Sequence, residues 1–501
     1  MPPEARARLL RRLVRLPGCE ALLDSVKVPV LLAAGSSRHG ARAVRSLEYA
    51  DPPLDLCPSS DWPDSHRADA VVIGSGAGGA VAALTLAASG RSVVVLEEGR
   101  HFPTRELASR PPLDRFADAC LDGGATVAWG LPPVLLPLGR AVGGTTLVNS
   151  GTCFRTPDHV LRRWHREHGV ELADPAHFAR HLDHVEELLG VAVPDPAVLG
   201  RNGALALLGA GRLGWSAAAL RRNAEGCGGC CECVAGCPSG AKKAVHLSVL
   251  PGACAAGARI VTRTRATRSV TAHRAGARRA VAVEAVRPDG SVFTLTTGLV
   301  VAAAGALHTP ALLRRSGLAG HPRLGRNLAI HPAVSVAGRF AGPVTGPGAG
   351  PNVVGPPLGT GTRSAPPARL VRPAPRGRPP PPAGRRPHGA RPVRRGRPRG
   401  AHRPPGTPRG HLARRPGRPG RAHRSPPSPP VGLPPDRDSG PRGGRRALPP
   451  CAPTDGCAGR RGSVLVADTC LLPSSPGVNP QVTIMALAHA VSVEAVRRDS
   501  E

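Results

Sequence analysis

Gly74, Gly76 and Gly79 stand at the spacing G-x-G-x-x-G, and Glu97 follows them by about 20 residues. The chemistry this suits is the binding of a dinucleotide. Gly74 permits a tight turn, Gly76 lets backbone approach a pyrophosphate, and Gly79 allows a helix to pack closely on a strand. Gly78 adds a further residue without a side chain to the same turn. A helix that begins at such a turn offers unpaired N–H groups and positive potential to phosphates. A carboxylate at Glu97 can accept from a ribose hydroxyl.

These residues need a particular scaffold, and the flanking text supplies it. Ala70–Ile73 is a short apolar run suited to a buried parallel strand. Residues 80–89 read as an Ala/Leu-rich helix stopped by Gly90, and residues 92–96 read as a second strand ending at Glu97. A lone glycine pattern would be weak. One framed by two strands, with the acid in place, is a dinucleotide signature.

A second chemical cluster is Cys227-Gly-Gly-Cys230-Cys231-Glu-Cys233-Val-Ala-Gly-Cys237-Pro238. Cys227, Cys230, Cys233 and Cys237 reproduce the C-x2-C-x2-C-x3-C-P run of bacterial ferredoxins. The spacing points to metal without identifying it: an iron–sulfur cluster, zinc, or free thiols all remain open. No second run supplies the partner cluster of a two-cluster ferredoxin. With 13 Cys in the chain, five of them here, a reducing compartment is expected rather than a disulfide framework.

Bulk composition averages two materials. All eleven aromatic residues lie at or before Phe340. Residues 341–463 hold 25 Arg, no Lys and three acids (Asp436, Asp438, Asp455), a net +22 of the chain's +33. The basicity therefore belongs mainly to one segment, and no specific nucleic-acid partner is expected. That segment has no hydrophobic period and is dense in Pro, Arg and Gly, so disorder is expected there. No run approaches the 18 apolar residues of a membrane span. The basic N-terminus lacks the apolar stretch of a signal peptide and reads as a solvated helix or a surface-lying one. A cytoplasmic location is expected, with membrane association as the alternative.

Further segments join the glycine turn. Residues 139–151 read GRAVGGTTLVNSG, 301–317 VAAAGALHTPALLRRSG, 325–332 GRNLAIHP and 466–488 VADTCLLPSSPGVNPQVTIMALA. Together and in this order they closely resemble the glucose–methanol–choline (GMC) oxidoreductases, over about residues 69–340 and 464–492. The Cys cluster followed by Gly240-Ala-Lys242 resembles the branch with long-chain fatty alcohol oxidases.

The resemblance implies an α/β fold: a Rossmann-like FAD-binding domain with a second, substrate-binding domain that is incomplete here. It implies FAD as cofactor, with Gly74, Gly76 and Gly79 at the pyrophosphate and Glu97 at the adenosine ribose. Gly143, Gly144 and Asn149 would line the flavin side, and Asp468 the ribityl–pyrophosphate region. Asn479 falls at the family's second catalytic position. The reaction implied is oxidation of an alcohol, with hydride passing to flavin N5 and then to oxygen or a redox partner.

The expected organisation is an unassigned region 1–67, a first FAD part 68–155, and a helical and Cys-rich part of the substrate region 156–257. A second FAD part 258–340, the Pro/Arg/Gly-rich segment 341–463 and a returning segment 464–501 follow. Helices are expected at 159–169 and 177–189, and a turn at Pro288-Asp-Gly290.

The family's general-base His has no match. His388, His402, His411 and His423 lie in Arg/Pro-rich text, His331 reads as structural, and His489 stands past Asn479 on the last helix. Reading GC-rich DNA in a shifted frame yields this excess of Pro, Arg, Gly and Ala. A frame error or frameshifted gene across 341–463 is therefore the expectation. A genuine disordered insert binding RNA or acidic partners is the alternative, and with it a non-catalytic basic protein carrying a degenerate flavin domain.

Overall fold

The computed structural model describes residues 50–130, 133–274, 277–322, 324–330, 369–371 and 463–500. Its centre is a parallel sheet made from short apolar runs. In chain order these are β1 (Leu56–Pro58), β3 (Ala70–Ile73), β4 (Val93–Leu96), β5 (Arg259–Thr262), β9 (Leu299–Ala302) and β10 (Val464–Val466). In space the order is β1-β5-β4-β3-β9-β10, with every neighbouring pair parallel. β3 and β4 are buried at all four positions, as strands covered on both faces require.

A second sheet holds β2 (Ser65–Arg67), β6 (Arg265–Arg274), β7 (Ala277–Val286) and β8 (Val292–Thr296), in the order β2-β8-β7-β6. β7 and β8 are antiparallel and joined at the expected Pro288-Asp-Gly290 turn, where Gly290 N–H donates to Arg287 O at 3.0 Å. Residues 50–67, left unassigned by sequence, thus supply strands to both sheets.

Helix α1 (Ala77–Ala88) begins three residues before the expected start and follows Gly76 directly. The correction has a packing cause. Gly78 and Gly79 form its first turn, where a Cβ would sit 1.7 Å from Ala467 O and 1.9 Å from Gly74 O respectively. Only bare backbone lets the helix come so near the sheet. Helices α2 (Asp158–His168) and α3 (Pro175–Leu188) match the expected positions within two residues. Further along the chain are α4 (Leu250–Ala255), α5 (Gly305–Arg315) and α6 (Gln481–Ser500).

Both α4 and α6 pack on α1, and α6 also packs on α3. Phe178, Leu182 and Val185 of α3 share one hydrophobic core with the parallel sheet. The Pro/Arg/Gly-rich segment is described only at its end, Ser463, and at Arg369–Val371. The latter three residues pair antiparallel with Ser216–Ala218. The rest of that segment, with its four His, and His331 before it lie outside the described residues.

His489 on α6 meets α3 rather than a cleft. Its Nδ1 lies 3.2 Å from His181 Nδ1, and its ring stacks on His184 at 4.1 Å. Burial pushes both His181 and His489 down to about 4, helped by the neighbouring positive charge of Arg180 and His184. The unfolded chain then holds more protons than the folded one between about pH 4 and 6.5, so stability rises with pH across that window. The urea midpoint should fall on acidification from pH 6.5 to 4, and H489L should show a smaller fall than the unsubstituted chain.

Candidate functional site

The glycine turn opens into a cavity of about 590 Å³. Its wall includes Gly74, Gly76, Gly78, Glu97, Gly144, Asn149, Asp468 and Asn479. Residues separated by 400 positions in sequence thus meet at one cleft, at the carboxyl ends of β3 and β4, where open parallel sheets bind ligands. Gly79 and Gly143 support the wall without lining it: Gly79, in the first turn of α1, presses on Gly74, and Gly143 precedes Gly144.

One hydrogen-bonded chain ties three of these segments together. Gly143 N–H donates to Ser75 Oγ at 3.0 Å, and Ser75 Oγ–H donates to Glu97 Oε2 at 2.6 Å. Ser75 N–H donates to the same Oε2 at 3.1 Å, and Gly99 N–H to Oε1 at 2.8 Å. Glu97 is buried, and that burial pushes its carboxyl above the usual range against the pull of its donors. The expected ribose contact must therefore use lone pairs that Ser75 and Gly99 leave over. Ser75 was not singled out from sequence. Its only signal was its place as the first x of G-x-G.

The glycines differ in why they must be glycine. Gly74 adopts φ +102° and a Cβ there would lie 2.4 Å from Ala303 O. A Cβ on Gly144 would lie 2.9 Å from Gly76 Cα. These are demands of the protein's own packing. Gly76 is unlike them: its φ is −69° and a Cβ would meet nothing nearer than Gly144 Cα at 4.0 Å. The fold itself would accept a side chain there, so the bare backbone facing the cavity at the N-terminus of α1 fits an approaching phosphate.

Asp468 is both a cap and a tie. Its Oδ1 accepts from Cys470 N–H at 2.9 Å, and its Oδ2 accepts from Gly305 N–H at 2.8 Å and from the Thr309 hydroxyl. Burial pushes its carboxyl upward, opposed by those donors. It joins the end of β10 to the start of α5. Asn149 Nδ2 donates to Gln481 Oε1, and both side chains line the cavity beside Asn479. Gln481 was missed because it reads as the first residue of an ordinary helix. Glu98 and His308 also reach the wall and are exposed.

The Cys run folds as a turn beside the cleft. Cys233 Sγ accepts from Arg222 Nη2 at 3.1 Å, and Cys237 Sγ accepts from Lys242 N–H at 3.5 Å. Burial raises the Cys237 thiol, but hydrogen bonds from Ser239 and Lys242 outweigh it and leave the thiol below its usual value. Cys227 is half-buried and Cys230 is exposed, whereas Cys233 and Cys237 are buried. Among the described residues no three His, Cys, Asp or Glu side chains are arranged to hold a metal ion. No described helix is long and apolar enough to cross a membrane.

The sequence profile of the GMC oxidoreductases matches residues 116–333, and that of an FAD binding domain matches residues 69–108. An uncharacterized GMC-type oxidoreductase of Mycobacterium tuberculosis is 53% identical over 344 residues, 68% of this chain and 54% of that protein. A long-chain-alcohol oxidase of Arabidopsis thaliana is 34% identical over 283 residues, 55% of this chain and 37% of that one. Pyridoxine 4-oxidase of Mesorbium loti superposes with a TM-score of 0.38 at 17% identity, over 50% of this chain and 52% of that structure. That last likeness is too loose to carry an argument. The chain spans about half the length of the bacterial relative it matches.

Ser75→Ala removes the hydroxyl that links Glu97 to Gly143 and leaves a buried N–H and carboxylate oxygen underused. Urea unfolding should show a loss of about 1–3 kcal/mol, with FAD retention falling further than stability alone would account for. Unchanged stability and retention would show that the link carries no strain of the site.

Proposed function

The chain belongs to the GMC oxidoreductase family, and from that premise we propose that its cleft binds FAD and serves the oxidation of an alcohol CH–OH group. The observation that carries this reading is Gly76, a glycine at which the fold leaves room for a Cβ, in the wall of a cavity that also holds Asn149, Asn479 and Gln481. When bound, FAD supplies the two-electron acceptor that takes the carbinol hydride at N5.

The chain's own residues would do the following. Backbone at Gly74–Gly78 and the N-terminus of α1 would hold the pyrophosphate, and Glu97 the adenosine ribose. Gly143 and Gly144 would bring backbone to the flavin side, with Asn149 beside them. Asp468 would hold the β10–α5 junction near the ribityl chain. Asn479 can hold the alcohol oxygen by a hydrogen bond, but an amide takes no proton at neutral pH. Apolar Leu121, Val134 and Leu136 on the wall would exclude water from the reacting carbon. No step is routed through the Cys turn.

The hydroxyl proton needs a base, and none is assigned. Glu97 and Asp468 are engaged by protein donors on both oxygens. The proposal places the family's base, and much of the substrate wall, in the segment that residues 341–463 replace through a shifted reading frame. The Arabidopsis thaliana relative is a long-chain-alcohol oxidase, so long-chain alcohols are the first to try. The electron acceptor is oxygen or a redox partner.

The test is alcohol-dependent dye reduction, from short to long chains, by the chain as written and by the frame-restored version at matched FAD content. Loss of a general base typically costs about 10²–10⁴-fold, so the chain as written should be slower by at least that factor. Comparable turnover by both would make 341–463 a functional insert. Turnover by neither would favour the non-catalytic basic protein.

A further inference from the structure

The side chain of Lys242 has an unusual position. It is 1% exposed, and its Nζ is within hydrogen-bond reach of four backbone carbonyls: Leu147 at 2.7 Å, Asn149 and Cys233 at 2.8 Å, and Thr146 at 3.1 Å. The titratable groups its ammonium feels are Cys233, Cys237 and Arg222, with no carboxylate among them. Its stem runs along Gly151, where a Cβ would lie 3.1 Å from Lys242 Cγ and Cδ.

Burying an ammonium is costly unless its protons are all used. Here three protons are shared over four acceptors, and three of those carbonyls belong to one short loop, 146–149. That loop turns three carbonyls to the ammonium, and its residues Thr146 and Asn149 line the cavity. The fourth carbonyl, of Cys233, belongs to the Cys turn. Lys242 is thus the fastener between the Cys turn and the face of the cavity that carries Asn149.

We propose that Lys242 is a positioning residue for the flavin face: by clamping residues 146–149 against Cys233 it sets the orientation in which Asn149 meets the cofactor. This rests on the FAD reading of the cavity. It also gives the Cys turn a role that needs no metal, as a rigid backing for that loop. Arg115 supplies an internal comparison. It is equally buried and grips the same turn through Glu232 and Gly236 O, the latter at 2.8 Å, yet its hydrogen bonds reach no residue of 146–149.

The experiment compares FAD affinity and the visible circular dichroism of bound flavin in the full chain, in Lys242→Met and in Arg115→Met. K242M should weaken FAD binding by about tenfold or more, as expected when buried carbonyls lose a charged donor, and should change the flavin bands. R115M should lower the urea midpoint and leave the flavin bands unchanged. In the double variant with Asn149→Ala, the effects on affinity should be non-additive, because Lys242 acts through that residue. Wild-type affinity and bands in K242M, equal spectral change in R115M, or strict additivity with N149A would each overturn the proposal. Should K242M not fold, K242R keeps the charge while misfitting the four carbonyls, and must shift the bands in the same way for the proposal to stand. An unsubstituted chain that takes up no FAD would instead overturn the flavin reading beneath it.

Discussion

The buried carboxylate of Glu97 is the constraint on which the cleft depends. It ends β4, and through Ser75 it reaches both the glycine turn after β3 and the backbone of Gly143. Those three pieces of chain have no covalent reason to stay together. An acceptor with both oxygens occupied in a dry place is expensive to disturb, because each lost partner leaves a desolvated polar group behind. The same burial that raises its pKa makes its hydrogen bonds count.

Around that joint, distance is set by backbone touching backbone. Gly78 lies against Ala467, Gly79 against Gly74, and Gly144 against Gly76, each too closely for a side chain. These contacts join a helix, two strand ends and a loop from opposite ends of the chain. Asp468 repeats the device of Glu97 on the far side, gathering α5 and the last strand. Lys242 does so with opposite charge, gathering carbonyls instead of N–H groups. The cavity is therefore held at three corners by buried ionisable side chains whose partners are mainly backbone.

How legible this was in the sequence depended on the range of the interaction. β3, the glycine turn and β4 were readable because period and spacing are local, and the turn at Pro288-Asp-Gly290 for the same reason. The start of α1 was misplaced because Gly78 and Gly79 look like loop residues until the sheet they press on is known. Asp468 could be read as a cap, which it is, but its tie to Gly305 spans 163 residues and no local pattern encodes it. Ser75 and Gln481 escaped for want of any spacing rule, and Lys242 was read only as part of the Gly240-Ala-Lys242 motif: each acts through one partner or a few brought near only by folding. The Cys run was legible by its spacing, but the hydrogen bonds that Arg222 and Lys242 donate to Cys233 and Cys237 were not, since Arg222 lies outside the run and Lys242 after it.

The most direct test of the account is equilibrium titration of FAD into the flavin-stripped, folded chain, alongside Gly76→Val. The account predicts one FAD per chain. It also predicts that G76V keeps the unsubstituted far-ultraviolet circular dichroism while losing FAD, since a Cβ there meets nothing nearer than Gly144 Cα at 4.0 Å, whereas the pyrophosphate needs bare backbone. A folded chain that takes up no FAD, or G76V binding FAD as tightly as the original, would contradict it.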